Sequence, residues 1–224
     1  VVYLYEMEHN GTVHYLNKIV APEKSASDKF GYSLAQFGDL LAVGAIGHSP
    51  NGQTNAGGVY LYRLENNGNA IFIAKVTAPE IKPTDKFGRS VSLFGRILAV
   101  GAFGHSPNGV NNAGAAYLYQ IESNHSVSFL TKITAPSQAA NDQFGISVDQ
   151  QRNLLVVGSH FFDPDGVTDA GESFMYQVES NGSVSLLNRF TAPDKKPNDQ
   201  FGKSIHLSSE ILVVGAAYAN GYDN

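Results

Sequence analysis

The sequence DKFGYSL at residues 28–34, followed by LAVGA at residues 41–45, decides the fold because it recurs along the chain. Its Phe-Gly pair returns every 57 residues, at Phe30-Gly31, Phe87-Gly88, Phe144-Gly145 and Phe201-Gly202. An Ala-Pro pair keeps the same spacing and ends at Pro22, Pro79, Pro136 and Pro193. Four copies of constant length without an insertion indicate a fold built from one repeated supersecondary unit.

One unit, residues 31–78, has the alternating apolar pattern of β-strands. We predict four strands, at residues 32–37, 40–46, 58–65 and 70–77, joined by glycine-containing turns and one polar loop. Pro79 then ends the pairing, because proline lacks the N–H that a ladder requires. Four antiparallel strands in each repeated unit are typical of a β-propeller blade.

With this repeat length, the 224 residues form a single repetitive domain. Residues 1–20 correspond to a half blade, residues 31–78, 88–135 and 145–192 to full blades, and residues 202–217 to a second half blade. The half blades could close a four-bladed ring, pair between chains, or belong to a longer propeller. We expect a fragment of a larger propeller or a polymerising chain.

The repeated motif resembles the FG-GAP repeat, which builds the propeller of integrin α-subunits and of many secreted proteins. The later copies match in the same way: DKFGRSV at residues 85–91, DQFGISV at 142–148 and DQFGKSI at 199–205. The resemblance implies an all-β propeller of four-stranded antiparallel blades. We expect each Phe to pack between blades and the following Gly to allow close backbone approach. The repeated Asp, at Asp28, Asp85, Asp142 and Asp199, is expected to accept backbone N–H groups.

The integrin-type calcium loop between the first and second strands is absent. That link is three residues such as Phe37-Gly38-Asp39, too few oxygen ligands for calcium. A carboxylate cluster stands instead in the next loop of the third full unit, with Asp163, Asp165 and Asp169 around Gly166. Alternating Asp followed by Gly is typical of calcium loops, and also of acidic surface turns. Calcium is therefore the one candidate cofactor.

The loops after the second strands, residues 47–57, 104–114 and 161–171, are predicted to emerge on one face. The segments entering the next unit, residues 21–30, 78–87, 135–144 and 192–201, join them there. Two of the loops are near copies, with HSPNG at residues 48–52 and 105–109. Their polar groups are candidates for hydrogen bonding a sugar or a protein: His48, Ser49, Asn51, His105, Ser106 and Asn108. A solvated turn is the alternative reading of each residue.

Three sequons stand at one equivalent position, the turn between the third and fourth strands. They begin at Asn10, Asn124 and Asn181, whereas the fourth copy, Asn67-Gly68-Asn69, is not a sequon. The pattern is consistent with N-glycosylation in a eukaryotic source and also with simple hairpin chemistry.

Composition narrows the function. The net charge is −5, which disfavours nucleic acid as a partner, and there is no cysteine to form a disulfide or a thiol nucleophile. No apolar run is long enough to span a membrane. Catalytic motifs such as Gly-x-Ser-x-Gly and His-Glu-x-x-His are missing, so we expect no enzyme activity.

The sequence thus predicts a non-catalytic extracellular propeller that recognises a protein or glycan, as in adhesion. One alternative is a structural subunit that assembles through its half blades. The other is the accessory propeller of a larger secreted hydrolase.

Overall fold

The computed structural model describes residues 1–23, 25 and 27–219. Residues 24, 26 and 220–224 lie outside this description. The described part forms sixteen β-strands and contains no α-helix. The strands are β1 (Val2–Met7), β2 (Val13–Ile19), β3 (Phe30–Phe37), β4 (Leu40–Ala45), β5 (Gly58–Leu64), β6 (Ala70–Val76), β7 (Ser90–Phe94), β8 (Ile97–Ala102), β9 (Ala115–Ile121), β10 (Val127–Ile133), β11 (Ser147–Gln151), β12 (Leu154–Ser159), β13 (Glu172–Val178), β14 (Val184–Phe190), β15 (Phe201–Leu207) and β16 (Leu212–Ala216).

The strands form five antiparallel sheets in chain order. Three have four consecutive strands, β3–β6, β7–β10 and β11–β14, and the terminal pairs β1–β2 and β15–β16 form two-stranded sheets. The predicted four-stranded antiparallel units are confirmed, and the predicted strand bounds agree with the observed ones within two residues. Because sequential strands pair directly, each turn can be short.

Each hairpin between a third and a fourth strand contains a bulge. The register shifts opposite Leu4/Tyr5, Leu61/Tyr62 and Met175/Tyr176, and again between Phe129 and Thr131. A bulge adds one unpaired residue and increases the local twist. The bulge residue Leu130 lies close to Gly182 of the next hairpin turn, so the bulge also serves contact between sheets.

The first strands of successive sheets, β3, β7, β11 and β15, contact one another, and we call them the inner strands. A serine in each of β3, β7 and β11 donates a hydrogen bond to the Phe-Gly glycine of the next unit. Ser33 Oγ reaches the carbonyl of Gly88 at 2.8 Å, Ser90 Oγ that of Gly145 at 3.1 Å, and Ser147 Oγ that of Gly202 at 2.6 Å. Side-by-side first strands of successive four-stranded sheets are typical of propeller-like blades.

The core lies between sheets rather than within one. Phe87 and Phe144 are fully buried, and each packs against residues of two successive sheets, as predicted for the repeated Phe. The glycine that follows is also confirmed as a point of close approach: Gly88 has φ +87°, and a Cβ there would lie 2.6 Å from the carbonyl oxygen of Gly58. Any side chain at Gly88 would push the sheets apart.

The two-stranded end sheets leave apolar side chains exposed. Tyr3, Tyr5 and Tyr15 of β1–β2 and Val213 of β16 are each more than half exposed. Pairing of these edges, within a chain or between chains, stays a prediction. Among the described residues, no helix has the length and apolar character needed to cross a membrane.

Candidate functional site

The loop face, which we define as residues 47–57, 104–114 and 161–171, is built from three nearly identical turns. Each contains a short 3-10 turn, at Pro50–Gly52, Pro107–Gly109 and Pro164–Gly166. The middle residue of each turn has a positive φ of 53°, and it is Asn51, Asn108 or Asp165. Asn and Asp tolerate this left-handed backbone better than other non-glycine residues, which explains their recurrence.

The loops are held rigidly by backbone bonds to the next unit. Phe87 N donates to the Ala56 carbonyl at 2.8 Å, Phe144 N to Ala113 at 2.9 Å and Phe201 N to Ala170 at 2.8 Å. Two more backbone N–H groups in each segment that leads into the next unit also donate to the loop. The donors are Thr84 and Lys86 in one segment, Asn141 and Gln143 in the second, and Asn198 and Gln200 in the third. The loop face is therefore part of the framework that joins the sheets, with fixed geometry.

Ser49 and Ser106 of the predicted ligand set also hold the loop. Ser49 Oγ accepts the N–H of Asn55, and Ser106 Oγ accepts that of Asn112, both at 3.1 Å. Asn51 and Asn108 are exposed, so their side chains remain available to a ligand.

His48 and His105 require a correction, because their side chains are buried rather than displayed. His105 is fully buried, and its Nδ1 lies 3.2 Å from Asp85 Oδ2; His48 Nδ1 lies 3.5 Å from Asp28 Oδ2. These pairs fix the loop against the segment that enters the same unit. A buried imidazole cannot contact a ligand on the surface, so both histidines are structural.

Three of the repeated Asp side chains, those of Asp85, Asp142 and Asp199, also accept a backbone N–H, as predicted. Asp142 Oδ2 accepts from Ala139 at 2.7 Å, Asp199 Oδ2 from Lys196 at 2.7 Å and Asp85 Oδ2 from Lys82 at 3.3 Å. In the third unit Phe162 replaces the histidine, so Asp142 has no imidazole partner. Burial raises the pKa of Asp142 to about 6; the Ala139 N–H opposes this shift, and the charges of Asp163 and Asp169 add to it.

Asp142→Asn is expected to stabilise the protein at pH 7, by on the order of 1–2 kcal/mol. A carboxyl whose pKa is raised in the folded state binds protons more tightly there than in the unfolded state. Its unfavourable contribution is therefore absent near pH 4 and grows as the pH rises through about 6. Chemical denaturation at pH 4.5 and pH 7 measures the difference.

Asp142→Ala is the matched control, because it removes the charge and also the acceptor for the Ala139 N–H. A gain with Asn assigns the effect to the charge, and a smaller gain with Ala measures the cost of leaving the Ala139 N–H without its acceptor. Equal stability of Asp142→Asn and wild type at pH 7 would contradict the prediction.

The acidic loop uses its carboxylates for other contacts. Asp163 Oδ1 accepts the Asp169 N–H at 2.7 Å, in the place that Ser49 and Ser106 occupy in the other loops, and Asp165 pairs with Lys195 at 3.1 Å. Within residues 1–23, 25 and 27–219, no three His, Cys, Asp or Glu side chains converge as metal ligands. Calcium binding by Asp163, Asp165 and Asp169 stays a prediction, which calcium titration of the wild type and Asp165→Ala tests.

The three sequons lie in exposed turns at the other end of the sheets. Thr12 N donates to Asn10 Oδ1 at 2.8 Å, Ser126 N to Asn124 Oδ1 at 2.9 Å and Ser183 N to Asn181 Oδ1 at 2.9 Å. Asn67 Oδ1 accepts the Asn69 N–H in the same way, although Asn67 does not begin a sequon. The hairpin geometry alone therefore explains why asparagine recurs at this position. Glycosylation at these sites stays a prediction.

A group of basic residues at the inner strands does not emerge from the sequence alone. Lys29, Lys86, Arg89 and Lys203 flank the Phe-Gly pairs, and we call them the inner-strand cluster. The Arg89 guanidinium lies 5.0 Å from the Tyr32 ring centre, and Lys203 Nζ lies 2.9 Å from Gln200 Oε1. In the sequence, Lys29 is equivalent to Lys86 and Arg89 to Lys203 in the repeat. Their proximity becomes apparent only when the inner strands are known to be neighbours.

Comparison with solved structures shows the fold alone, since sequence identities are 13% or lower. A Lactobacillus plantarum protein matches with a TM-score of 0.57 and 13% identity over 89% of this chain and 50% of that one. The computationally designed Ika4 protein matches with a TM-score of 0.53 and 13% identity over 91% of this chain and 94% of that one. Saccharomyces cerevisiae Sqt1 matches with a TM-score of 0.50 and 10% identity over 76% of this chain.

The chain spans 38% of Sqt1 and half of the Lactobacillus protein. No curated protein matches it significantly. The FG-GAP repeat model matches residues 15–62, 71–119, 127–176 and 184–224, which is most of the chain. Since each match includes strands of the repeated sheets described above, the chain belongs to the FG-GAP repeat family.

Proposed function

We propose that this chain is a non-catalytic, extracellular recognition module that binds a protein or a glycan through its loop face. Its FG-GAP propeller-like fold suggests a protein-interaction domain. Extracellular location is supported by the resemblance to a family that includes many secreted proteins. A role without catalysis is supported by the missing catalytic motifs. The fold itself does not support it, since one fold can carry many activities.

The observation that carries the proposal is the rigid, repeated display of polar groups on the loop face. Asn51 and Asn108 are exposed at the tips of turns that backbone bonds join to the next sheet. A ligand that contacts such loops meets groups whose backbone is already ordered, so binding loses little conformational entropy. Amide groups suit the hydroxyl groups of a sugar and the backbone of a protein equally well.

A glycan array and a panel of purified candidate proteins test the proposal with wild type and the double variant Asn51→Ala/Asn108→Ala. We expect one ligand to lose at least about tenfold in affinity, the effect of losing one or two hydrogen bonds. Asn67→Ala is the control, because this exposed asparagine lies in a hairpin turn at the other end of the sheets. Binding that both variants retain equally would overturn the loop face as the recognition surface.

Self-assembly through the end sheets is a second candidate function. By the repeat register of β4 and β5, in which Val43 faces Tyr60, the β16 residue Val214 would face Tyr3 of β1. Such pairing would complete a four-stranded blade and cover the exposed apolar side chains of β1 and β16. Light scattering across a concentration series tests it in wild type and in Val214→Pro, which cannot complete the ladder. A species that stays monomeric at high concentration would exclude assembly between copies.

A further inference from the structure

We propose that the inner-strand cluster binds a multiply charged oxyanion, a sulfate or phosphate group, at the start of the inner strands. This goes beyond the proposed function, since it holds whether or not the loop face binds a protein or glycan. The cluster is Lys29, Lys86, Arg89 and Lys203, as defined above.

The fold brings Lys29, Lys86 and Arg89 of two successive units close together, and Lys203, two units further along the chain, shares the buried His160 with Arg89 as a charged neighbour. The serine-to-glycine hydrogen bonds place the starts of the inner strands side by side, with Ser33 bound to Gly88 and Ser90 bound to Gly145. Arg89 then lies over the ring of Tyr32 in the preceding sheet. The Arg89 N–H also bonds the carbonyl of Lys86 at 3.0 Å, so these two residues share one turn.

Like charges here influence each other. Burial lowers the pKa of Lys86, and the charge of Lys29 lowers it further. His160, buried nearby, has its pKa lowered to about 4 by burial first, and then by Lys203 and Arg89. Three residues of the cluster, Lys86, Arg89 and Lys203, are themselves partly buried. The positive potential is therefore concentrated where water screens it less.

The cluster lacks the ion pairs that several basic residues of the outer strands form. Lys75 pairs with Glu23 at 2.6 Å, Lys132 with Glu80 at 3.5 Å and Arg189 with Glu172 at 2.5 Å, all on outer strands. In the described part of the chain, no carboxylate lies within salt-bridge distance of the four cluster residues. The protein as a whole is acidic, with a net charge of −5, yet these four cations have no carboxylate partner among the described residues. A bound anion would therefore relieve the repulsion between them.

The backbone conformation of two cluster residues is also unfavourable. Lys29 and Lys86 have φ values of 53° and 58°, in the left-handed region that long side chains seldom adopt. The equivalent residues Gln143 and Gln200 share this conformation and carry amide donors instead. Ammonium, guanidinium and amide N–H groups together match the several acceptor oxygens of sulfate or phosphate.

Isothermal titration of the 224-residue chain at low ionic strength tests the inference with two probes, pyrophosphate and a heparin-derived sulfated disaccharide. We expect at least one probe to bind with one-to-one stoichiometry, and its affinity to fall with added salt. The double variant Lys86→Gln/Arg89→Gln should lose at least about tenfold in affinity. Binding of the disaccharide alone identifies a sulfated glycan as the source, and binding of pyrophosphate alone identifies a phosphate compound.

Lys75→Gln/Lys132→Gln is the matched control, because it removes the same formal charge from outer strands. A second variant, Lys29→Gln/Lys203→Gln, keeps the test valid if the first does not fold by circular dichroism. The inference is overturned if neither probe binds, if the cluster variants bind as wild type does, or if the control loses as much affinity as they do.

Discussion

Gly114→Ala will lower the free energy of unfolding by more than about 3 kcal/mol, through backbone strain and a forced separation of two sheets. Gly114 has φ +86° and forms a parallel bridge with Phe144. A Cβ built on it would lie 2.5 Å from the nitrogen of Phe144 and would overlap the carbonyl oxygen of that residue. Backbone atoms in a ladder cannot move aside as a flexible side chain can, so the junction must open.

Gly109→Ala separates the two causes, because Gly109 lies in the same loop with φ +82° and has no atom within 4 Å of the place that a methyl group would occupy. This variant should cost only the left-handed penalty, about 1–2 kcal/mol. Urea denaturation of both variants at pH 7 measures the difference. Equal losses in Gly109→Ala and Gly114→Ala would show that close approach between sheets contributes nothing at this junction.

The strands and sheet order follow from the sequence because they depend on local signals. Alternation of apolar residues, glycine-containing turns and Pro79 specify four strands in each unit, and the sheets β3–β6, β7–β10 and β11–β14 confirm them. The role of the Asp that precedes each Phe-Gly pair is also predictable, since its bond spans only three residues, as in Asp142 to Ala139. Contacts this short are visible in the pattern itself.

The candidate site is harder to predict because its contacts join distant residues. His105 lies in the polar stretch HSPNG, which indicates an exposed turn, yet its imidazole is buried against Asp85, twenty residues earlier. The inner-strand cluster likewise depends on the adjacency of strands one repeat apart. The spacing of Lys86 and Arg89 is uninformative until β3 and β7 are known to be neighbours.

Phe144→Ala will lower the free energy of unfolding by about 3–5 kcal/mol, the usual cost of removing a buried aromatic ring. Phe144 is fully buried, and its ring centre lies 5.4 Å from that of Phe174 in the same unit. It also packs in one cluster with Leu118 of the preceding sheet and Leu155 of the following one. Its loss leaves a cavity between two sheets, where neither sheet can close the gap alone.

The position of this cavity makes the form of the unfolding transition informative. In a repetitive protein, each unit is stabilised largely by its interface with the next, so weakening one interface uncouples the units on either side. Urea denaturation should therefore show a broader transition in Phe144→Ala, with a smaller m-value. Phe129→Ala is the control, because Phe129 is 44% exposed and contacts Tyr119 at the edge of a single sheet. It should cost about 1 kcal/mol and keep the wild-type slope; an equally broad transition in both variants would rule out Phe144 as the coupling residue.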